Sequence, residues 1–208
     1  MRLAMILSTA LPLLSRAALL CFALAPAWGG DVMTSAPLLW RPTSTVQELG
    51  LPPINLMQFE GTRIALLPFT DTRADKTQIG ENQEKAAFRP VTTKDDVAAF
   101  VAGHTKEILA GLGLPLTSNA TEATITLAGE ILNYGVVEKD MYMGDVRLKF
   151  TVRKGEKRLW AGLAMGTSKR WGRSFKLENY HETLSDALLD AVAHLCKDPE
   201  FIKNLAGK

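Results

Sequence analysis

The densest run of chemistry-bearing side chains lies between Arg147 and Lys176, where ten basic residues stand against one acid, Glu156. Residues 146–153 alternate between apolar and polar types, and alternate residues of a strand point to opposite faces. Arg147, Lys149 and Arg153 therefore share the side away from Val146, Leu148, Phe150 and Val152. The same parity assigns Arg158 and Trp160, on the following strand, to that polar side. Side chains two apart on one strand and opposite on the next lie within reach of one ligand. These five residues are a candidate surface for an anionic lipid or an acidic envelope protein. The competing reading is a solvated sheet face whose charges discourage edge-to-edge pairing.

A second constellation, Asp71, Arg73 and Asp75, follows the apolar run Ile64–Phe69. Charged groups at a strand corner bond local backbone and each other, so this trio is expected to fix a turn rather than to hold a substrate. Its spacing begins like a calcium loop. The sixth and twelfth places, which need glycine and glutamate, hold Lys76 and Asn82 instead. The other reactive types are scattered: His104, His181 and His194 stand at no ligand spacing, and Cys196 has no evident base nearby. Nucleophile-elbow, phosphate-loop and dinucleotide glycine patterns are missing from the sequence. The expectation is therefore no catalytic residue, no metal ligand and no cofactor.

These residues belong to a chain of 208 residues, 47% hydrophobic and 22% charged, which is ordinary composition for one globular domain. Residues 1–30 contain Arg2 and Arg16, no acid, and the apolar runs Leu3–Leu14 and Ala17–Ala25. Neither run reaches the roughly twenty apolar residues that a membrane span needs. A secretory signal peptide over 1–27, leaving through Ala25-Pro26-Ala27, fits instead. Export predicts the periplasm or cell envelope of a Gram-negative bacterium, no nucleic-acid partner, and membrane contact that is peripheral at most. Leu20 directly before Cys21 fits a lipid-attachment site poorly, so lipidation there is not expected. Cleavage would leave Cys196 alone, and no internal disulfide could form.

Residues 28–60 hold Pro37, Pro42, Pro52 and Pro53 and read as an extended lead-in, with an edge strand near Thr45–Leu49. A single domain is expected over 61–208. Ile64–Phe69 reads as a buried strand and 74–92 as a polar loop. Thr92 or Thr93, with Asp95 and Asp96, reads as a helix start. Val97, Val101, His104, Ile108 and Leu112 form its stripe, and Gly113 ends it. Three alternating strands follow over 123–132, 146–153 and Leu159–Met165, the last two joined by a hairpin at Lys154–Lys157. A final helix starts at Asn179 with Glu182 as capping-box partner, carries Leu184, Leu188, Ala191, Val192 and Leu195 on one face, and stops at Asp198-Pro199 before the short turn Glu200–Leu205. The order β-α-β-β-β-α gives an α+β two-layer sandwich, a mainly antiparallel sheet with two helices on one face.

The order of these features resembles the YajG-type family of small bacterial cell-envelope lipoproteins. The likeness is carried by Asp71-Thr72-Arg73-Ala74-Asp75 after a strand, by Ile79-Gly80, and by the helix ending in Gly113. It continues in the Thr124–Leu132 strand, Ser185-Asp186-Ala187-Leu188 and Glu200-Phe201-Ile202-Lys203, spanning about residues 62–205. The missing lipobox is a departure. The resemblance implies no enzymatic activity and no catalytic residues to carry over. The expected function is an exported, non-catalytic protein that binds or supports another envelope component. The alternative is an auxiliary subunit of a lipid or lipopolysaccharide transport machine, since such accessory lipoproteins share a similar sandwich. A small hydrolase using His104 or Cys196 has little in the sequence to support it.

Overall fold

Alternating burial, interrupted at Leu132 and Leu159, marks three long strands, β6 (Ile125–Glu138), β7 (Tyr142–Lys154) and β8 (Lys157–Arg170). They pair antiparallel in sequence order. The structure is a computed structural model and describes residues 33–208; the expected signal segment 1–27 lies outside the described residues. The other edge of β6 is tiled end to end by three short parallel strands. These are β1 (Ile64–Leu66) against Ile125–Leu127, β2 (Thr70–Asp71) against Glu130 and Ile131, and β3 (Gln78–Asn82) against Val136–Glu138. A fourth strand, β4 (Arg89–Thr92), pairs antiparallel beyond β3, and β5 (Leu116–Thr117) pairs parallel beyond β1.

The fold is thus α+β with a mixed sheet of eight strands and three α-helices among the described residues. The antiparallel pairing expected of the sheet holds for the three long strands and for β3–β4, but the short strands β1, β2, β3 and β5 add parallel pairs that the expectation lacked. Strands of two or three residues carry no readable alternation, and their parallel register is set by β6, some sixty residues away in sequence. The supposed loop 74–92 is likewise corrected, since it contains the β3–β4 hairpin. Its polar composition hid the strands because two of its polar side chains, Asn82 and Arg89, are buried.

Helix α1 (Val97–Gly111) buries Val97, Val101 and Ile108 of its expected stripe, with Thr105 and Leu109 beside them. Its cap is Asp96, whose side chain accepts from the Ala99 N–H at 3.0 Å. Helix α2 (Leu177–Lys197) buries all five expected stripe residues. It starts two residues earlier than the expected Asn179, with no side-chain cap, and Glu182 pairs with Arg170 rather than closing a capping box. The short turn expected at Glu200–Leu205 is corrected to a third helix, α3 (Pro199–Leu205), capped by Asp198 and with its proline in the first turn, where a missing N–H loses nothing.

α2 lies directly on β7 and β8 because small residues meet there. A Cβ at Gly166 would stand 2.1 Å from the Ala187 carbonyl oxygen and 2.2 Å from the Ala191 nitrogen. One at Gly144 would stand 2.9 Å from the Thr183 carbonyl oxygen. Thr183, Ala187 and Ala191 recur every four residues, on one helix face. Beside this contact Val146, Leu148, Phe150 and Val152 are fully buried.

Residues 33–60 wrap this assembly. The Ala36 N–H donates to Thr92 O at 2.8 Å, the Leu38 N–H to Asp95 Oδ2 at 2.7 Å, and the Arg41 N–H to Ser185 Oγ at 2.9 Å. Ala36, Leu38, Val46 and Phe59 join the core. The edge strand expected near Thr45–Leu49 is a turn: Glu48 Oε2 accepts the Thr45 N–H at 2.7 Å, and the Leu49 N–H returns to Thr45 O. The side chain of Glu48 satisfies locally what a neighbouring strand would otherwise have to supply.

Candidate functional site

The corner after β2 forms around one guanidinium. Arg73 donates to the Asp71 carboxylate through Nε at 3.0 Å and Nη2 at 2.7 Å. It also donates to the carbonyls of Gln78 at 2.7 Å, Lys76 at 2.7 Å and Tyr134 at 3.2 Å. An arginine has five N–H donors, and all five are engaged inside the protein. Only 6% of the Arg73 side chain and 9% of the Asp71 side chain are exposed, which leaves nothing to offer a ligand. Burial raises the Asp71 carboxyl pKa, but the bonds and charge of Arg73 outweigh it and hold it below the usual carboxylate range. Asp75 belongs to a separate turn, accepting from the Thr77 N–H at 2.8 Å, the Thr77 hydroxyl at 2.7 Å and the Gln78 N–H at 3.2 Å.

The face of β6–β8 opposite the buried valines and Phe150 carries Arg147, Lys149 and Arg153. Arg147 pairs with Asp145 at 2.8 Å and Lys149 with Glu130 at 2.9 Å, so these two charges are matched in place. Opposite them on β8 stand Met165 and Leu163, 56% and 59% exposed. Leu132 and Met143 add exposed apolar area to the same sheet. The centre of this open face is therefore apolar, with neutralised cations between.

The unmatched charge lies at the hairpin end. Arg153 stands opposite Arg158, and Lys154 opposite Lys157, joined through Gly155 at φ +55°. None of the four makes an ion pair among the described residues. Trp160 does not share this face, which corrects the parity argument. One register irregularity between Val152 and Arg153 leaves Leu159 unopposed and turns Trp160 towards the helices. Its ring lies 5.1 Å from that of Phe201, edge to face.

A buried polar network at the opposite end went unread in the sequence. Glu138, 1% exposed, accepts from the Tyr180 hydroxyl and the Phe175 N–H, both at 2.7 Å. The Tyr142 hydroxyl donates to Arg173 O at 2.6 Å and accepts from the Lys176 N–H at 3.0 Å. Burial first, then the Glu138 carboxylate, pushes the Tyr180 hydroxyl far above its ordinary pKa. Arg89 donates to Asn82 Oδ1 at 2.6 Å while its guanidinium lies 4.3 Å over the Phe175 ring. Phe175 sits at φ +53°, a left-handed conformation that bulky residues adopt only when their surroundings impose it. The one sequence signal was phase: Tyr134, Val136 and Glu138 fall on successive inward positions of β6.

Cys196 and the three histidines each have an identifiable local setting. Burial pushes the Cys196 thiol up to about 12, away from a reactive thiolate. His181 contacts Pro37 O at 2.8 Å, and its burial outweighs that bond to lower its pKa. His104 is stacked on Trp40 with centroids 4.4 Å apart and touches Glu107 at 2.7 Å. His194 lies 3.4 Å from Asp190. No group of three or more His, Cys, Asp or Glu side chains able to hold a metal occurs among the described residues.

Together these elements define an α+β protein with a mixed sheet, one helix seated on its three long strands, and an open amphipathic face. No family model matches the chain. No curated protein matches its sequence. Among solved structures, the chain is similar to protein XCC0632 from Xanthomonas campestris, described as DUF330, with TM-score 0.51 and 7% identity over 80% of this chain and 90% of that one. It is also similar to an uncharacterised protein with TM-score 0.50 and 6% identity over 80% and 98% of the two chains. A neisserial lipoprotein, GNA1162 from Neisseria meningitidis, aligns at TM-score 0.35 and 13% identity over 56% and 90%. At these identities the first two establish a shared fold, and none of the three establishes the YajG-type family.

Proposed function

We propose that this chain is an exported, non-catalytic binding module of the bacterial cell envelope, a YajG-like two-layer domain that docks another envelope protein on the open face of its sheet. The observation that carries this reading is the exposure of Leu163 and Met165 at 59% and 56%, side by side with ion-paired Arg147 and Lys149. Apolar side chains ringed by matched charges are the composition of an interface core and its rim. The anionic ligand expected for the basic strip moves, in this reading, away from Arg147 and Lys149, whose charges are already answered. A non-catalytic role is supported by Cys196, whose burial opposes thiolate formation, and by His181, which is buried against Pro37 O.

The test is a photo-crosslinking residue at position 165 in cells of the producing bacterium. A discrete protein adduct, lost when Leu163→Asp is added, supports the reading. A transport-machine subunit in that adduct would select the auxiliary-subunit alternative, whereas no adduct above that of a buried control position overturns docking. Export is checked by the mature N-terminus: a chain beginning after Ala27 is expected, and a lipid-modified Cys21 or an intact Met1 contradicts it.

A further inference from the structure

Two exposed aromatic residues stand at the end of the sheet remote from the β7–β8 hairpin. Trp171 is 73% exposed and Phe88 67% exposed. Their loops are tied to each other: the Ser174 hydroxyl bonds the Glu84 carboxylate, and Arg89 lies over the Phe175 ring. Lys85, Arg173 and Lys176 in these loops, and Lys169 near the end of β8, make no ion pair among the described residues. Asp140, in the β6–β7 turn at this end, is exposed and, among the described residues, unpaired beside Lys139, while the other acids here are occupied. Glu84 takes Ser174, Asn82 and Arg89, Glu138 is buried under Tyr180, and Glu178 bonds Arg41.

We propose that this end of the molecule docks on an anionic phospholipid surface, with Trp171 and Phe88 entering the headgroup layer and Lys85, Lys169, Arg173 and Lys176 facing its phosphates. Tryptophan is amphipathic and settles at the membrane–water boundary, and basic residues near an anionic leaflet add attraction. Separate aromatic tips among cations suit a fluid headgroup layer, which adapts to isolated anchors. A protein interface gathers its aromatics into one packed core. The loop arrives preformed, because Glu138 holds the Phe175 N–H and Arg89 covers its ring, which keeps the left-handed turn at Phe175 in place. Lipid contact here is separate from protein docking on the open face, and draws on the envelope reading only for where such a lipid would be met.

The experiment is co-sedimentation of the protein, as isolated from the producing cell, with vesicles of phosphatidylglycerol and phosphatidylethanolamine against vesicles of phosphatidylcholine. Wild type is expected to bind the anionic vesicles with a salt-sensitive affinity and a blue-shifted tryptophan emission that Trp171→Phe abolishes. Lys85, Lys169, Arg173 and Lys176 changed together to Gln, or Trp171→Ala with Phe88→Ala, should weaken binding about tenfold or more, with far-ultraviolet circular dichroism unchanged. A third variant, Arg153→Gln with Lys157→Gln and Arg158→Gln, alters the basic hairpin and should bind nearly as wild type. No binding by wild type, equal binding by the loop variants, or a loss confined to the hairpin variant overturns the proposal. Leu163→Asp should leave vesicle binding intact, so failure of this proposal and failure of the protein-docking reading are told apart.

Discussion

The two faces of β7 and β8 are made by neighbouring residues of the same strands, yet they obey different rules. On the covered face Gly144 and Gly166 leave no room for a methyl group, because the α2 backbone rests on them. On the open face Arg147, Lys149, Leu163 and Met165 project with room to spare. A side chain on one face is constrained by backbone atoms that cannot yield. On the other it is constrained mainly by solvation, and that is where a partner can be recruited without loss of stability.

The sharpest way to break this comparison is Gly166→Ala. Its added carbon would lie 2.1 Å from a carbonyl oxygen, so the helix must lift and a core contact is lost. A destabilisation of about 3 kcal/mol or more is expected from chemical denaturation. The same substitution at Gly103 on α1, where nothing lies within 4 Å, should instead stabilise by about 0.5–1 kcal/mol. Equal effects at the two sites would mean that α2 does not rest on the sheet as described.

Arg73→Ala tests the buried Arg73–Asp71 pair beside the open face. Removing all five donors leaves Asp71 and three carbonyls to find water, at about 1–2 kcal/mol in the denaturation midpoint. Asp71 has a lowered pKa in the folded state, so its contribution is present above its unfolded pKa and is lost as pH falls through the folded value. The wild-type advantage over Arg73→Ala should therefore shrink in acid. A constant difference down to that range would remove the ion pair from the explanation.

His181 gives a smaller, separate pH signal. Its pKa is lowered by burial, so the unfolded chain takes up the proton first. Stability is full above the ordinary histidine pKa of about 6.5 and declines as pH falls below it. Midpoints between pH 8 and pH 5 should show this decline in the wild type and less of it in His181→Asn. The smallest effect is expected on the open face: Arg147, Lys149 and Arg153 changed together to Gln should alter stability by less than about 0.5 kcal/mol, because each is solvent-facing.

Part of this organisation was legible in the residues themselves. Alternation in 146–153 assigned Val146, Leu148, Phe150 and Val152 inward and Arg147, Lys149 and Arg153 outward, because side-chain direction in a regular strand is a local property. The helical stripes of α1 and α2 were legible for the same reason. Trp160 was misplaced because one unopposed residue, Leu159, reverses the parity after it, and that depends on the partner strand. The short strands β1 to β3 were unreadable as a parallel tier, since their register is a property of β6. Glu138 and Arg89 carried charges that local rules place in water. Only the folded chain brought Tyr180, the Phe175 N–H and Asn82 within reach to satisfy them. By itself the sequence determined which residues alternate, where α1 and α2 form and where the cations concentrate. The tertiary structure decided which cations are answered by a carboxylate, which aromatics remain exposed, and where backbone meets backbone, because each of these depends on groups far apart in the chain.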